Sequence, residues 1–259
     1  MRIATWNVNG IRARLGPVTD WLRDRAPDIA LLQEIKTQDD GFPREAIAAL
    51  GYEIHTHGQK GFNGVAILSR LPVSDVMRGL PGDEADGQAR WIEATVTGTR
   101  PVRVACLYLP NGNPAPGPKY DYKLAWMERL RARARAILAS ERPAVLAGDY
   151  NVIPTPQDAR RPEAWAQDAL FLPDSRAAFR RLEHLGLYDA IRLRHPDGGH
   201  YTFWDFQRGA WERDDGIRID HHLLTPQAAD LLTDAWVERE MRGGERPSDH
   251  VPVWVQLDA

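Results

Sequence analysis

The residues of this 259-residue chain that could carry chemistry are polar side chains that follow short apolar runs. The apolar run at residues 144–147 ends at Gly148 and is followed by Asp149 and Asn151. A short apolar run that ends at glycine is typical of a buried strand in an α/β sheet. Because residues two apart on a strand point to the same side, we expect Asp149 and Asn151 to leave the core together, at the strand end where open α/β sheets bind ligands. The non-catalytic alternative is an Asx turn that closes the strand.

Polar residues at predicted strand ends recur along the whole chain. They are Asn7, Glu34, Tyr108, Asn111, Asp149, Asn151, Asp220, Asp249 and His250. The set is rich in hard oxygen ligands and lacks sulfur, which favours Mg²⁺ or Mn²⁺ over a structural zinc site. It contains one histidine beside carboxylates, the usual way to orient an imidazole, and several amides that bind phosphate without adding negative charge. A metal, an imidazole and neutral donors around one point are what in-line attack on a phosphodiester requires.

Hydrophobic periodicity predicts an α/β protein that would position these residues. We expect strands over residues 3–6, 29–34, 52–57, 64–69, 91–96, 102–109, 144–151 and 218–224, and a final strand after residue 250. We expect helices from about residue 17 to 25 and over residues 44–50, 121–139 and 174–185. Asp174 is the expected N-cap of the last helix, and the proline-rich segment 113–118 is expected not to be helical. No long polar linker divides the chain, so we expect a single domain over residues 1–259, a four-layered α/β sandwich of two packed mixed β-sheets with helices on the outer faces.

Composition limits the possible function classes. The net charge of −3 argues against a basic, histone-like protein, and the 33 cationic residues are nearly all arginine, which suits phosphate contacts but is also typical of a GC-rich genome. The single cysteine, Cys106, lies in an apolar run, which excludes a disulfide scaffold and favours the cytoplasm. We expect neither a signal peptide nor a bilayer-spanning segment.

Six segments resemble the exonuclease III family of bacterial abasic-site endonucleases, within the exonuclease–endonuclease–phosphatase superfamily that also contains deoxyribonuclease I. They are WNVNGIRAR (6–14), LQEIK (32–36), HGQKG (57–61), GDYN (148–151), RID (218–220) and SDH (248–250). Each segment alone is weak evidence for the family, but all six in the same order along the whole chain are specific evidence for it.

The resemblance implies a metal site and a site for the attacking water. Glu34 would be the principal metal ligand, helped by Asn7 and Asp249, and Asp149 would orient or deprotonate the water. The full implied ligand set is Asn7, Glu34, Asp149, Asn151, Asp249 and His250. The ion would be Mg²⁺, with Mn²⁺ as a substitute.

The resemblance also implies how the scissile phosphate is held. Asn151 would bind it, and His250 would bind a non-bridging oxygen with Asp220 as its orienting partner. Tyr108 would contact the phosphate or help the leaving oxygen. A histidine beside an aspartate keeps a raised pKa and stays a donor, which makes physical sense of the pair.

Three features favour DNA over other phosphodiesters. Arg12 and Arg14 directly follow the first catalytic loop, the aromatic loop 201–206 resembles the family's pocket for a base-less sugar, and the loop 113–118 with Lys119 and Lys123 could lean on the duplex. The expected substrate-binding residues are Asn9, Arg12, Arg14, Asn111, Lys119, Phe203, Trp204, Trp211 and Ile219. Some relatives carry an aromatic residue at the position of Ile217 or glutamine at that of Asn111, and both departures could shift the balance of activities.

The function so implied is a metal-dependent DNA-repair nuclease acting on double-stranded DNA. It would incise 5′ to abasic sites, remove 3′ blocking groups and degrade duplexes from the 3′ end, as a cytoplasmic monomer. The alternatives are a phosphatase of the same superfamily acting on inositol phosphates or lipids, and a non-catalytic DNA-binding relative. The adjacent His221 and His222 would face opposite sides of a strand, and we expect both to be structural.

Overall fold

A computed structural model describes residues 1–259 and contains twelve β-strands and six α-helices. The strands are β1 (Arg2–Asn7), β2 (Ile29–Gln33), β3 (Glu53–His57), β4 (Val65–Ser69), β5 (Val73–Arg78), β6 (Trp91–Thr97), β7 (Pro101–Tyr108), β8 (Ala144–Asp149), β9 (Tyr188–Asp189), β10 (Asp220–Leu224), β11 (Leu232–Val237) and β12 (Val253–Leu257). The helices are α1 (Leu15–Arg25), α2 (Arg44–Ala48), α3 (Pro118–Leu138), α4 (Pro173–Glu183), α5 (Ala190–Arg194) and α6 (Pro226–Ala229). Short 3₁₀ turns cover Asp39–Gly41, Pro156–Asp158, Pro162–Trp165 and Arg239–Gly243.

The strands form two six-stranded sheets. The first sheet has the order β11-β12-β1-β2-β4-β3, and the second has the order β5-β6-β7-β8-β10-β9. In each sheet one central pair is parallel, β1 with β2 and β7 with β8, and the other neighbours are antiparallel. Both sheets are therefore mixed, as the sequence predicts.

Three apolar clusters hold the layers together. Twenty-one buried residues, among them Ile3, Leu31 and Val145, fill the space between the two sheets. Trp21 of α1 packs in a cluster on the outer face of the first sheet, and Trp126 of α3 packs in a cluster on the outer face of the second. Helix–sheet–sheet–helix packing confirms the four-layered α/β sandwich.

Strand alternation brings the polar strand ends to one place. Val145 and Ala147 of β8 face the space between the sheets, so the next residue of that series, Asp149, does the same. The antiparallel register pairs Asp149 with Asp220 at the start of β10. On the facing sheet, Asn7 ends β1 beside Gln33 at the end of β2. Strands β1, β2 and β8 therefore end, and β10 begins, at the same edge of the sandwich, where their terminal side chains lie together.

Some predicted boundaries are wrong for local reasons. Strand β8 ends at Asp149, two residues earlier than predicted, and helix α3 begins at Pro118, three residues earlier than predicted. Proline is tolerated at the first helical position, because its missing N–H has no partner there. Helix α4 begins at Pro173, so Asp174 lies in the first turn and is not the N-cap.

The pattern did not predict strands β5 and β11. Both lie on sheet edges, and each exposes at least two of its residues to solvent, so the apolar alternation that marks a strand is weak there. The longest helix, α3, has 21 residues. Neither α3 nor any other helix combines the length and the apolar character needed to cross a membrane.

Candidate active site

The two sheets meet at the site through one amide. Asn7 is buried, and its Nδ2 donates to Glu34 Oε1 at 2.9 Å and to Asp149 Oδ2 at 3.0 Å. Its Oδ1 accepts from the backbone N–H of Asn9 at 3.0 Å. Asn7 therefore joins a carboxylate of the first sheet to one of the second, and both carboxylates were predicted to be functional.

His250 lies between two buried carboxylates. Its Nδ1 is 2.8 Å from Asp220 Oδ2, and its Nε2 is 3.8 Å from Asp149 Oδ2. Thr202 Oγ1 donates to the same Asp220 oxygen at 2.6 Å and fixes that carboxylate. The predicted Asp220–His250 pair is thus present, and one ligand-type atom from each of Asp149, Asp220 and His250 lies within 4.8 Å of the others.

The electrostatics of this cluster decide what each group can do. Burial raises the pKa of the Asp149 carboxyl to about 7; the His250 charge opposes this shift, and Asp220 adds to it. For His250, burial lowers the pKa, but Asp220 and Asp149 outweigh it and raise the pKa to about 10. His250 is therefore an imidazolium at neutral pH, with no free lone pair for a metal. Its charge state supports the role of donor to a phosphate oxygen and argues against the implied role of metal ligand.

Asn151 lies beyond the end of β8 and not on it. Its φ of 46° is left-handed, and its backbone N–H donates to Asp149 Oδ1 at 2.8 Å. This is the Asx turn that was the alternative interpretation, and it ties the Asn151 backbone to the Asp149 carboxylate. The Asn151 side chain donates to Leu109 O at 2.9 Å and accepts from Asn111 Nδ2 at 3.1 Å.

A second polar group lies at the rim around Glu34, one residue past β2. Lys36 Nζ is 2.8 Å from Glu34 Oε2 and 2.5 Å from Asn9 Oδ1, and Asn9 Nδ2 donates to Asp249 Oδ1 at 3.1 Å. Burial raises the pKa of Glu34, but hydrogen bonds from Asn7 and Lys36 outweigh burial and lower it. Glu34 is therefore ionised. Lys36 was not predicted as a site residue, although it ends the LQEIK segment.

The donors around Glu34 fit a hard divalent cation. The Glu34 and Asp249 carboxylates offer oxygen atoms, while the Asn7 amide faces Glu34 with its Nδ2 and its Oδ1 accepts from the Asn9 backbone N–H; the single cysteine, Cys106, is buried in the core between the sheets. Oxygen donors of this kind suit Mg²⁺ or Mn²⁺.

Tyr108 ends β7 beside the carboxylates. Burial, then the charges of Glu34 and Asp149, raise the pKa of its phenol well above the ordinary value. The guanidinium of Arg90 lies 4.9 Å from the ring centroid. The phenol stays protonated, so Tyr108 can donate a hydrogen bond to an oxygen of the substrate.

An aromatic pocket adjoins His250. The Phe203 ring packs 5.0 Å from the His250 ring and lines a cavity of about 330 Å³ that Trp165 also lines. Ile219 is 2% exposed in the apolar cluster behind Phe203, and Trp204 has no exposed surface. Trp204 and Ile219 are both buried behind the pocket, and this burial argues against the direct substrate contact expected of them. Trp165 was missed because it lies in an irregular, proline-rich segment without a pattern.

The remaining predicted DNA contacts lie outside the buried cluster. Arg12 is exposed and donates to Gly41 O at 2.9 Å, while Arg14 donates to Pro247 O at 3.1 Å. Trp211 is half-buried under Arg239, whose guanidinium is 5.0 Å from the ring centroid.

The two helical lysines that were expected to lean on DNA have different environments. Lys119 in the first turn of α3 is exposed, as a duplex contact requires. Lys123 is fully buried, so the expectation that it leans on the duplex is wrong. Burial lowers the pKa of the Lys123 ammonium to about 7.

Known proteins resemble this chain over its whole length. The model of the Endonuclease/Exonuclease/phosphatase family matches residues 4–250. Exodeoxyribonuclease III of Haemophilus influenzae is 32% identical, with 99% of this chain and 100% of that protein aligned. An AP endonuclease from Archaeoglobus fulgidus (TM-score 0.95, 38% identity) and a 3′ phosphatase from Neisseria solved with a product DNA hairpin (TM-score 0.95, 41% identity) each cover 100% of both chains. The chain therefore belongs to the Endonuclease/Exonuclease/phosphatase family.

Proposed function

We propose that this protein is a metal-dependent DNA-repair nuclease that incises 5′ to abasic sites, removes 3′ blocking groups and shortens duplexes from the 3′ end. The observation that carries the proposal is the buried Asp149–His250–Asp220 cluster beside the aromatic cavity. The relatives named for exonuclease, AP endonuclease and 3′ phosphatase activities support the substrate class. Double-stranded DNA would be the partner, and a cytoplasmic monomer the working form.

The residues divide the reaction between them. Asp149 accepts the proton of a water whose oxygen attacks phosphorus, and a bond from phosphorus to the 3′ oxygen breaks. The imidazolium of His250, oriented by Asp220, donates to a non-bridging oxygen and offsets the charge that develops there. The Asn151 amide holds the phosphate, and the protonated Tyr108 phenol donates toward the leaving oxygen.

The metal site would be centred on Glu34, with Asn7 and Asp249 at hand. When bound, Mg²⁺ would neutralise charge on the phosphate oxygens as a Lewis acid. Lys36 holds the Glu34 carboxylate oriented from the rim.

The aromatic cavity would supply selectivity for an abasic site. Phe203 and Trp165 contribute two aromatic rings to this cavity, and Phe203 also packs against His250; most of the other lining residues, among them Arg161 and Asp168, are polar or charged. A sugar without its base would enter this space, and the missing base would be the feature that distinguishes it from an intact nucleotide.

The decisive experiment uses a 5′-labelled duplex with one tetrahydrofuran abasic analogue. Wild-type protein is expected to nick the strand 5′ to the analogue in Mg²⁺ and not in EDTA. Glu34→Ala is expected to lose the nick, whereas Glu53→Ala, an exposed glutamate on β3, is expected to retain it. A 3′-phosphate end and an undamaged blunt duplex test the other two activities.

Two outcomes would overturn the proposal. Phosphate release from inositol phosphates without any DNA cleavage would assign the protein to the other branch of the family. DNA binding without cleavage in Mg²⁺ or Mn²⁺ would make it a non-catalytic relative.

A further inference from the structure

A buried lysine lies behind the residues proposed to hold the phosphate. Lys123 of α3 has no exposed surface, and its Nζ donates to Asn151 O at 2.6 Å and to Asn111 O at 3.0 Å. A lysine is almost never fully buried unless it is paired, and both hydrogen-bond partners here are backbone carbonyls. Such an arrangement is costly for folding, because the ammonium loses its water without gaining a counter-charge in contact.

The two carbonyls belong to loops that leave neighbouring parallel strands. Asn111 follows β7 and Asn151 follows β8, so the loops emerge side by side at the site. Gly112 lets the first loop close over the lysine stem: its φ is 91°, and a Cβ there would lie 2.7 Å from Lys123 Cδ. The ammonium therefore joins the two loops by donating a hydrogen bond to one backbone carbonyl of each.

The side-chain amides above the lysine form a chain. Asp168 Oδ1 accepts from Asn113 Nδ2 at 3.0 Å, and Asn111 Oδ1 accepts from the same Asn113 Nδ2 at 2.9 Å. Asn111 then donates through Nδ2 to Asn151 Oδ1 at 3.1 Å. Because Asn111 Oδ1 faces Asn113, its NH₂ group must face Asn151.

We propose that Lys123 is a positioning residue that sets the backbone of Asn111 and Asn151, and through it aims the Asn151 amide at the scissile phosphate. The role rests on the proposed nuclease function. Lys123 touches no substrate, since the two loops separate it from the site surface. A compact ammonium with three donors can bind both carbonyls at once, and the left-handed Asn151 needs such an anchor because strained loop conformations persist only when their surroundings over-determine them.

The test separates the chemical step from binding. Lys123→Met keeps an unbranched stem and removes the donors. Its single-turnover cleavage rate at saturating enzyme is expected to fall about 10²-fold, because small misplacements of a positioning group cost that much. Its Kd for the abasic duplex in EDTA is expected to stay within about twofold of the wild-type value.

Matched variants on the same helix make the result specific. Lys119→Met removes an exposed charge proposed to contact DNA, so its effect is expected in Kd. Arg135→Met removes an exposed charge far along α3 and is expected to change neither quantity. Lys123→Gln keeps an NH₂ donor on a shorter stem and is expected to recover part of the lost rate.

A second route displaces the lysine without removing it. Gly112→Ala places a methyl group against the lysine stem and is expected to lower the saturated rate with little change in Kd.

Thermal melting of each variant shows whether it is folded at the assay temperature. The role is overturned if Lys123→Met cleaves at the wild-type rate, or if rate, affinity and melting temperature all fall together. If wild-type protein cuts no DNA, the proposed function fails and this role fails with it. If wild-type protein cuts DNA and both Lys123→Met and Gly112→Ala cut it at the same rate, only this role fails.

Discussion

Two buried charged clusters lie close together at the start of β10, and they differ in charge balance. The proposed catalytic cluster is Asp149, Asp220 and His250, and it has more carboxylates than cations. Asp220 Oδ1 has no hydrogen-bond partner, and burial raises the pKa of Asp149 to about 7. The Asp149 carboxyl is thus held in an environment that disfavours its charged form.

The arginine cluster is Arg218 with Asp158 and Asp189, joined by Arg192. Arg218 Nε is 2.6 Å from Asp158 Oδ1, and its second nitrogen is 2.6 Å from Asp189 Oδ2. Arg192 also binds Asp158. Burial raises the pKa of Asp158, but the two arginines outweigh it and lower the pKa to about 2. Here the carboxylates are fully paired.

The comparison separates a structural charge cluster from a functional one. The arginine cluster fastens the turn at Asp158 and the start of α5 to the strand that carries Asp220. The proposed catalytic cluster is left unbalanced, and in the proposed function a cation and a phosphate would complete it. The two clusters should therefore respond oppositely to the loss of one carboxylate.

The largest expected effect is on activity, from Asp149→Asn. Single-turnover cleavage of the abasic duplex should fall about 10³-fold or more, because the amide cannot accept the water's proton. The melting temperature without metal should stay equal or rise at neutral pH, since the substitution removes a buried carboxylate whose pKa is raised by burial and by Asp220 in spite of the opposing charge of His250. A melting temperature that drops together with activity would contradict the distinction between the two clusters.

The next effect is on stability, from Asp158→Asn. Removing one partner of a buried ion pair leaves the other charge uncompensated and costs about 3–5 kcal/mol. For a chain of this size the melting temperature should fall by roughly 10 °C. Below the transition, cleavage per folded molecule should remain far higher than in Asp149→Asn. An exposed control, Asp20→Asn on α1, should change the melting temperature little.

Much of this contrast was predictable on the catalytic side. Asp149, Asp220 and His250 each follow or begin an apolar run, so the strand pattern marked all three as strand-end residues; Asp149 and Asp220 lie on the second sheet, and His250 precedes β12 of the first. The orientation of His250 by Asp220 followed from the family resemblance and is present in the geometry. The turn at Asn151 depends on a left-handed backbone conformation after β8, which the strand pattern does not reveal. The pattern instead predicted a strand that continues two residues too far, to Asn151.

The parts that escaped prediction depend on tertiary packing. Lys119 and Lys123 lie four residues apart on α3 and look alike in sequence, yet only Lys123 is covered by the loop that crosses at Gly112. Arg218 belongs to the RID segment, but nothing local reveals that Asp158, 60 residues away, is its partner. Such pairings are set when distant segments pack.

The smallest expected effect is on the pH dependence of cleavage and comes from Asp220→Asn. In the wild type, the rate should fall on the acid side as Asp149 is protonated, at or below about pH 7 since a bound cation favours the carboxylate. It should hold on the alkaline side until His250 loses its proton near pH 10. Because the charge of Asp220 raises both pKa values, its removal should move both limbs to lower pH. The alkaline limb should move by about one pH unit or more, each unit being about 1.4 kcal/mol of lost interaction.

Single-turnover rates across this pH range measure the positions of both limbs, with exposed Asp234→Asn as the control. An alkaline limb that stays in place would mean that Asp220 orients His250 without supporting its charge.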